Sequence, residues 1–159
     1  MLANRMMMAA AGARANVGIG GIDSYTKLML HMDGDQSGSN HIITHNGNPQ
    51  LSSEKKFGQS AMYFDGDGDY LSVPDSEDWN LGSGDFTIDC WVRWKSVGNS
   101  TIISQRELPS FSYGWNLFYE TTFWNLAFLY TTDGSTEKGI TSGFIPNQDE
   151  WYHIAVIRN

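Results

Sequence analysis

The sequence predicts an all-β fold, an antiparallel sandwich or barrel, on three observations. Residues 86–94 alternate an apolar set with a more polar set, a period of two that places one face of a strand on a core. Asp-Gly and Asn-Gly pairs follow short apolar runs, and such pairs supply the positive φ that tight hairpins require. No window shows the i, i+3, i+4, i+7 pattern with a cap at each end, so no helix of useful length is expected.

About ten short strands follow one another, as in a sandwich or barrel. A polar loop is expected at 33–40, a hairpin-type turn at 46–47, and a long polar connection up to residue 60. The strands are expected at 28–32, 41–45, 61–64, 70–73, 86–94, 101–105, 114–120, 124–130, 139–144 and 151–158.

Bulk properties limit the function classes. A chain of 159 residues is long enough for one domain with a real core. The formal net charge of −8 repels phosphate backbones, which argues against nucleic-acid binding. No apolar run approaches the ~18–20 residues that a membrane span requires. The single cysteine, Cys90, cannot form an internal disulfide and is expected to be a small buried hydrophobe.

Residues 1–24 differ from the rest of the chain, and we expect the domain to occupy 25–159. They are rich in Met and Ala, carry Arg5 and Arg14, and end in a Gly-rich stretch. Three interpretations stay open: a secretory signal, a disordered tail, or an arm that docks on another subunit. The arm interpretation is favoured, and its assembly residues are Arg5, Met6, Met7, Met8 and Arg14.

Two segments carry a family resemblance. FGQSAMYFDGDGDYLSVPDSEDWNLGSGDFTIDCWVRW and DEWYHIAVIRN resemble the concanavalin A-like, laminin G-like jelly rolls. The loop at 35–40 resembles the Asp-x-Ser-Gly-Asn loop that opens such domains, with Ser39 in place of the usual Asn. The resemblance covers 27–159 and implies a jelly-roll sandwich. That fold serves lectins, adhesion modules, glycosidases and viral surface proteins alike.

The two ends of the chain carry further expectations from resemblance. In the resembling family, further strands follow the segment WYHIAVIRN, so we expect the domain to be truncated after Asn159 or completed by another chain. The opening MLANRMMMAAAGA, followed by a Gly-rich link, resembles virion proteins of tailed bacteriophages.

No catalytic arrangement is expected. Glycosidases of this fold carry paired carboxylates at strand spacing, because a nucleophile and an acid must flank one bond at ~5.5 Å. The glutamates of this chain are isolated from one another, and no Gly-x-Ser-x-Gly elbow is present. We therefore expect a non-enzyme.

The sequence also offers candidate metal-binding and sugar-binding residues. Asp65, Asp67 and Asp69 mimic half a calcium loop but lack its Gly and Glu, which favours a solvated turn. The β-branched segment HIITH reads as a strand, which argues against zinc. The resemblance implies a Ca²⁺ site near the opening loop, with oxygens from Asp33, Asp35 and Asn40. Exposed aromatics stack on sugars and polar groups bind hydroxyls, which makes Phe111, Tyr113, Trp124 and Asn125 the candidate sugar-binding residues. The alternative is that these aromatics, Trp124 in particular, pack in the core.

These observations favour a non-catalytic structural or binding module. The expected role is a phage virion surface component (head decoration, fibre or tail), anchored by its arm to other virion subunits or to copies of itself. The alternative is a carbohydrate-binding or adhesion module of a secreted, extracellular protein.

Overall fold

The chain folds into antiparallel β-sheets, which confirms the predicted class. The computed structural model describes residues 6–9, 25–30, 37, 39–105, 114–123 and 125–159. Within them, one short 3₁₀ helix spans Glu77–Trp79, and no helix is long and apolar enough to cross a bilayer. The strands are β1 Met6–Ala9, β2 Thr44–Asn46, β3 Gln50–Ser52, β4 Ala61–Phe64, β5 Tyr70–Ser72, β6 Phe86–Trp94, β7 Ser100–Gln105, β8 Gly114–Glu120, β9 Asn125–Thr131, β10 Glu137–Ser142 and β11 Trp151–Arg158.

Two larger sheets form the sandwich. One has the order β11-β6-β1-β4-β3 and the other the order β10-β9-β8-β7, while β2 and β5 form a separate two-stranded ribbon. The longest pairing joins β6 to β11, from Trp151 opposite Arg93 to Arg158 opposite Phe86. Strand β6, which pairs with β11 on one side and with β1 on the other, is therefore the central long strand of this part of the five-stranded sheet.

The core lies between the two sheets. Its main cluster takes Val92 and Trp94 from β6 and Ile154 and Val156 from β11. The four-stranded sheet contributes residues from three of its strands, which are Ile102, Trp115, Leu117, Tyr119 and Phe128. Because one cluster draws on both sheets, the sheets pack face to face as in a β-sandwich.

The alternation predicted for β6 is confirmed. Val92 and Trp94 are buried, and Ile88 and Cys90 pack against the same cluster. Thr87 and Asp89, on the opposite face, are exposed. The predicted face of β8 is confirmed in the same way, because Trp115, Leu117 and Tyr119 are all buried.

The Asp/Gly turn between β4 and β5 is built around a buried carboxylate. Asp69 is only 1% exposed, and its two oxygens accept hydrogen bonds from the backbone N–H groups of Asn48 (2.7 Å) and Asp65 (3.0 Å). Gly66 and Gly68 have positive φ, as tight turns require. The expectation of a solvated turn is thus wrong for Asp69, because this carboxylate links the turn to the loop after β2.

Several predicted strands shift in the early part of the chain. Within the predicted strand at 28–32, Leu30 forms only an isolated bridge, residues 28–29 are not in a strand, and 31–32 lie outside the described residues. The predicted strand at 41–45 is observed only at Thr44–Asn46. His41 lies outside it and contacts Trp79 and Asp78, with its Nε2 3.0 Å from Asp78 Oδ2. Strand β3, unforeseen in the sequence, lies in the predicted polar connection and pairs with β4.

Strand β1 comes from the segment predicted as an arm. Met6–Ala9 pairs antiparallel with β4 on one side and with β6 on the other. The sequence indicated no strand here, since MMMA has no polar and apolar alternation and no β-branched residue. The division of the chain at residue 24 and the docking of the arm on another subunit stay predictions.

Cys90 is expected to be chemically inert in the folded protein. It lies on the core face of β6, and burial, together with the nearby Asp89 charge, raises the pKa of its thiol to about 12. Relative to an ordinary thiol, the reactive thiolate fraction falls about a thousandfold. Labelling with a disulfide reagent should therefore be negligible in native protein and complete in denaturant.

A matched control uses the exposed face of the same strand. In a Cys90→Ala background, Thr87→Cys should label rapidly without denaturant, because Thr87 is exposed. Equal labelling rates for Cys90 and this variant would contradict the buried, uncharged state of the native thiol.

Candidate functional site

A groove of mixed polar and apolar lining lies on the outer face of the four-stranded sheet, at strands β7 and β8. It is open to solvent and has a volume of about 230 Å³. Its position follows from the alternation of β8: Trp115, Leu117 and Tyr119 are buried in the core, so the intervening side chains face the other side of the sheet. The residues that line it are Asn99, Ser100, Thr101, Asn116, Phe118, Tyr119 and Glu120.

Strand pairing brings these side chains together. Thr101 of β7 lies opposite Phe118 of β8, and Ser104 lies opposite Asn116. The register shifts between Thr101 and Ile103, which is a β-bulge or similar irregularity. Bulges re-aim side chains and increase local twist, and they recur next to binding sites.

Asn116 is the unusual residue of the groove. Its Oδ1 atom is buried and accepts no hydrogen bond from the described residues. A buried polar atom without a partner costs about 1–3 kcal/mol. A small rotation of this amide toward the groove would let a ligand hydroxyl or amide supply the missing donor.

Other groove residues add hydrogen-bonding groups. Asn99 Oδ1 accepts from the backbone N–H and the hydroxyl of Thr121, both at 3.0 Å, so its Nδ2 group is the donor that Asn99 adds to the groove. Glu120 Oε1 accepts from the backbone N–H of Thr122 at 2.9 Å. Phe118 supplies an aromatic ring. Amides, a carboxylate and an aromatic side chain are a combination that suits a polyhydroxylated ligand.

One predicted sugar-binding residue, Asn125, is paired in the sheet with a residue that lines the groove. Asn125 has φ of 52° and lies opposite Glu120, at the start of β9. Phe111, Tyr113 and Trp124 lie outside the described residues, so their part in a site stays a prediction. The sequence offered one signal for the groove itself: the alternation of β8 places Asn116 and Phe118 on the face opposite the core.

The predicted calcium site is described only in part. Asn40 is exposed with φ of 52°, whereas Asp33 and Asp35 lie outside the described residues. Nearby Asp78 is engaged by Ser39 Oγ (2.8 Å), by His41 Nε2 (3.0 Å) and by Lys27 Nζ (3.4 Å). The Ser39 hydrogen bond is the main cause that lowers the pKa of Asp78. No group of three His, Cys, Asp or Glu suited to a metal occurs in the part of the chain that the structure describes.

Some of the predicted assembly residues are described by the structure and others are not. Met6, Met7 and Met8 form β1 inside the five-stranded sheet, whereas Arg5 and Arg14 are not among the described residues.

A second aromatic surface lies on the outer face of the five-stranded sheet. Trp91 stacks on His153 with ring centroids 5.2 Å apart, and Phe57 meets it edge-on at 5.2 Å. The Lys56 ammonium lies 4.9 Å from the centroid of the same indole. Because its neighbours already cover the Trp91 ring, this surface is less suited to stacking on a sugar than the groove is.

Four charged residues on this same side of the molecule form a network of ion pairs. Glu54 contacts Lys95 at 2.8 Å and Arg93 at 3.4 Å, and Asp149 contacts Lys95 at 3.0 Å and Arg93 at 3.1 Å. The hydrogen bonds from Lys95 are the main cause that lowers the pKa of both carboxyls. Carboxylates held ionised in this way do not suit the proton-donor role of a glycosidase.

Two face-to-face antiparallel sheets with a groove on one outer face define a binding or structural module of the β-sandwich class. A model of the laminin G-type family of the concanavalin A-like lectin/glucanases superfamily matches residues 65–159, and the chain belongs to this family. The match includes β5 to β11, which carry the groove. No match is found among curated proteins or among solved structures.

Proposed function

We propose that this protein is a non-catalytic binding module that takes a polyhydroxylated ligand, a glycan, in the β7–β8 groove. The unpaired Oδ1 of Asn116 carries this proposal, because a buried acceptor without a donor is stabilised by a ligand that supplies one. Among the described residues, Glu120 is the one carboxylate that lines the groove, whereas retaining and inverting glycosidases both require two.

Replacing Asn116 by alanine is expected to weaken glycan binding about fivefold, since one lost hydrogen bond to a ligand is worth about 1 kcal/mol. Phe118→Ala should have a similar effect through loss of ring contact. Ligands would first be found on a glycan array, and affinities would then be measured by calorimetry. Asn147→Ala is the matched control, because Asn147 bonds to Glu150 outside the groove and should leave the affinity unchanged.

Two outcomes would reject the groove as the site. One is that no glycan binds at millimolar protein concentration. The other is that binding survives Asn116→Ala and Phe118→Ala but is lost in Trp124→Ala, which would place the ligand at the residues predicted from the sequence.

A second candidate function is a structural role on the surface of a phage virion. It rests on the resemblance of the N-terminal segment and on three large apolar side chains exposed on successive elements. Ile140 of β10, Ile145 of the following loop and Ile157 of β11 are 64%, 68% and 60% exposed. Exposed apolar surface of this kind suits contacts with other subunits.

Electron microscopy of native particles labelled with an antibody against this chain tests the virion role. Labelling at regular positions on the head, fibre or tail is expected. Recovery of the chain as free protein in the culture medium, with no labelled particle, would favour the extracellular alternative.

A further inference from the structure

Strand β1 fills a slot inside the five-stranded sheet. Three of its four residues, Met6, Met7 and Met8, lie opposite Phe64, Tyr63 and Met62 of β4, and β1 pairs along its whole length with β6. In the sheet order, β4 and β6 meet only through β1. Without β1, both neighbours would present unpaired N–H and C=O groups, which is a template for an added strand.

The connection between β1 and the rest of the domain is long. Residues 10–24, fifteen in number, separate β1 from Tyr25, and they include Gly12, Gly18, Gly20 and Gly21. Fully extended, such a segment reaches about 50 Å. A domain the size of residues 25–159 has a radius of gyration of about 14 Å, so the segment is long enough to reach a neighbouring molecule.

We propose that β1 is an exchangeable strand, and that the slot between β4 and β6 also accepts β1 of a second copy of this chain. The contacts made in the slot are the same whichever copy supplies the strand. The equilibrium between insertion of the chain's own β1 and insertion of a neighbour's β1 therefore depends on the linking segment and on the concentration of neighbouring copies. For a strand joined covalently to its own domain, the effective concentration is of the order of millimolar, so exchange is minor at micromolar protein and substantial in a crowded assembly.

This inference does not depend on the groove or on its ligand. Loss of glycan binding leaves it intact, and its own failure leaves the groove proposal intact. It gives the N-terminal segment a role in joining copies through the sheet itself rather than through a separate surface.

The test uses cysteines that report which copy supplies the strand. Met7 and Tyr63 lie opposite each other, so full-length chains in a Cys90→Ala background would carry either Met7→Cys or Tyr63→Cys. The two chains, one with a size tag, are mixed in denaturant, refolded at about 10 µM and at about 500 µM, and oxidised. A disulfide between them forms only when β1 of one copy lies in the slot of another.

Two control chains accompany the mixture. The double variant Met7→Cys/Tyr63→Cys shows whether β1 occupies the slot at all. The pair Thr87→Cys/Ile157→Cys, which lies opposite in β6 and β11, should close within one chain at both concentrations and shows that the sheet has refolded.

Exchange predicts that the disulfide-linked pair rises at least tenfold between the two concentrations, as expected for a millimolar effective concentration. The proposal is overturned if the mixture yields no linked pair at either concentration while the double variant closes within single chains. It is also overturned if the double variant does not close at all in chains whose Thr87/Ile157 control has closed, because β1 is then not in the slot.

Discussion

Replacing Trp94 by alanine is expected to lower the free energy of unfolding by about 4 kcal/mol, since large-to-small changes of buried aromatics typically cost about 3–5 kcal/mol. Trp94 is 0% exposed. Its ring centroid lies 5.6 Å from that of Tyr119 in the opposite sheet and 6.3 Å from that of Tyr152 in the neighbouring strand. The indole therefore joins the two sheets, and its removal leaves a cavity between them.

The indole also makes a buried hydrogen bond. Trp94 Nε1 donates to Ser100 Oγ at 3.0 Å, and Ser100 is itself buried. Trp94→Phe keeps most of the ring volume but loses this donor, so it is expected to cost about 1–3 kcal/mol. The difference between the two losses in the free energy of unfolding separates the contribution of packing from that of the hydrogen bond.

Urea unfolding followed by far-ultraviolet circular dichroism measures both changes. Phe123→Ala is the surface control, because Phe123 is 84% exposed in the turn between β8 and β9 and should change stability by less than about 0.5 kcal/mol. A loss below about 1 kcal/mol for Trp94→Ala would mean that the two sheets do not share the core described here.

The strands most accurately predicted are those whose side chains alternate against the core. Phe86–Trp94 and Gly114–Glu120 have the predicted bounds, because burial of one face determines the register of such strands. Strands β1 and β3 were missed for a common physical reason. MMMA and QLS are too short and too irregular to show a period of two, and pairing with β4 stabilises both of them in the sheet.

The candidate site was less predictable than the fold. Alternation places Asn116 on the outer face of β8, but the unpaired state of its Oδ1 depends on which groups β7 brings beside it. That arrangement follows from the register shift between Thr101 and Ile103, for which STIISQ carries no Gly or Pro as a sign. Long-range pairing of this kind is not encoded in any local motif.

The Asp/Gly turn between β4 and β5 also depends on contacts that a local sequence motif does not predict. The hairpin predicted at 65–69 is wrong, because β4 pairs with β1 and β3 whereas β5 pairs with β2. The burial of Asp69 at this turn depends on Asn48, which is distant in the chain. Gly47 forms part of this contact: it has φ of 76°, and a Cβ placed on it would lie 2.4 Å from Asp69 Oδ1. A side chain at this position would therefore strain the backbone and displace the buried carboxylate.

Gly47→Ala is accordingly expected to cost about 3 kcal/mol, the sum of about 1–2 kcal/mol for a left-handed alanine and the partial loss of the Asp69 hydrogen bonds. Gly58→Ala is the matched control. Gly58 also has positive φ, at 68°, but has nothing within 4 Å of the added Cβ, so only the backbone cost of about 1–2 kcal/mol should remain.

A double-mutant cycle with Asp69→Ala identifies the cause. Asp69→Ala alone is expected to cost about 2–3 kcal/mol, because two backbone N–H groups lose their acceptor. In the double variant the clash is absent, so the two costs should fall short of additivity by at least about 1 kcal/mol. Strict additivity, or equal losses for Gly47→Ala and Gly58→Ala, would show that backbone strain alone explains the glycine, and that the buried carboxylate does not constrain the loop at Gly47.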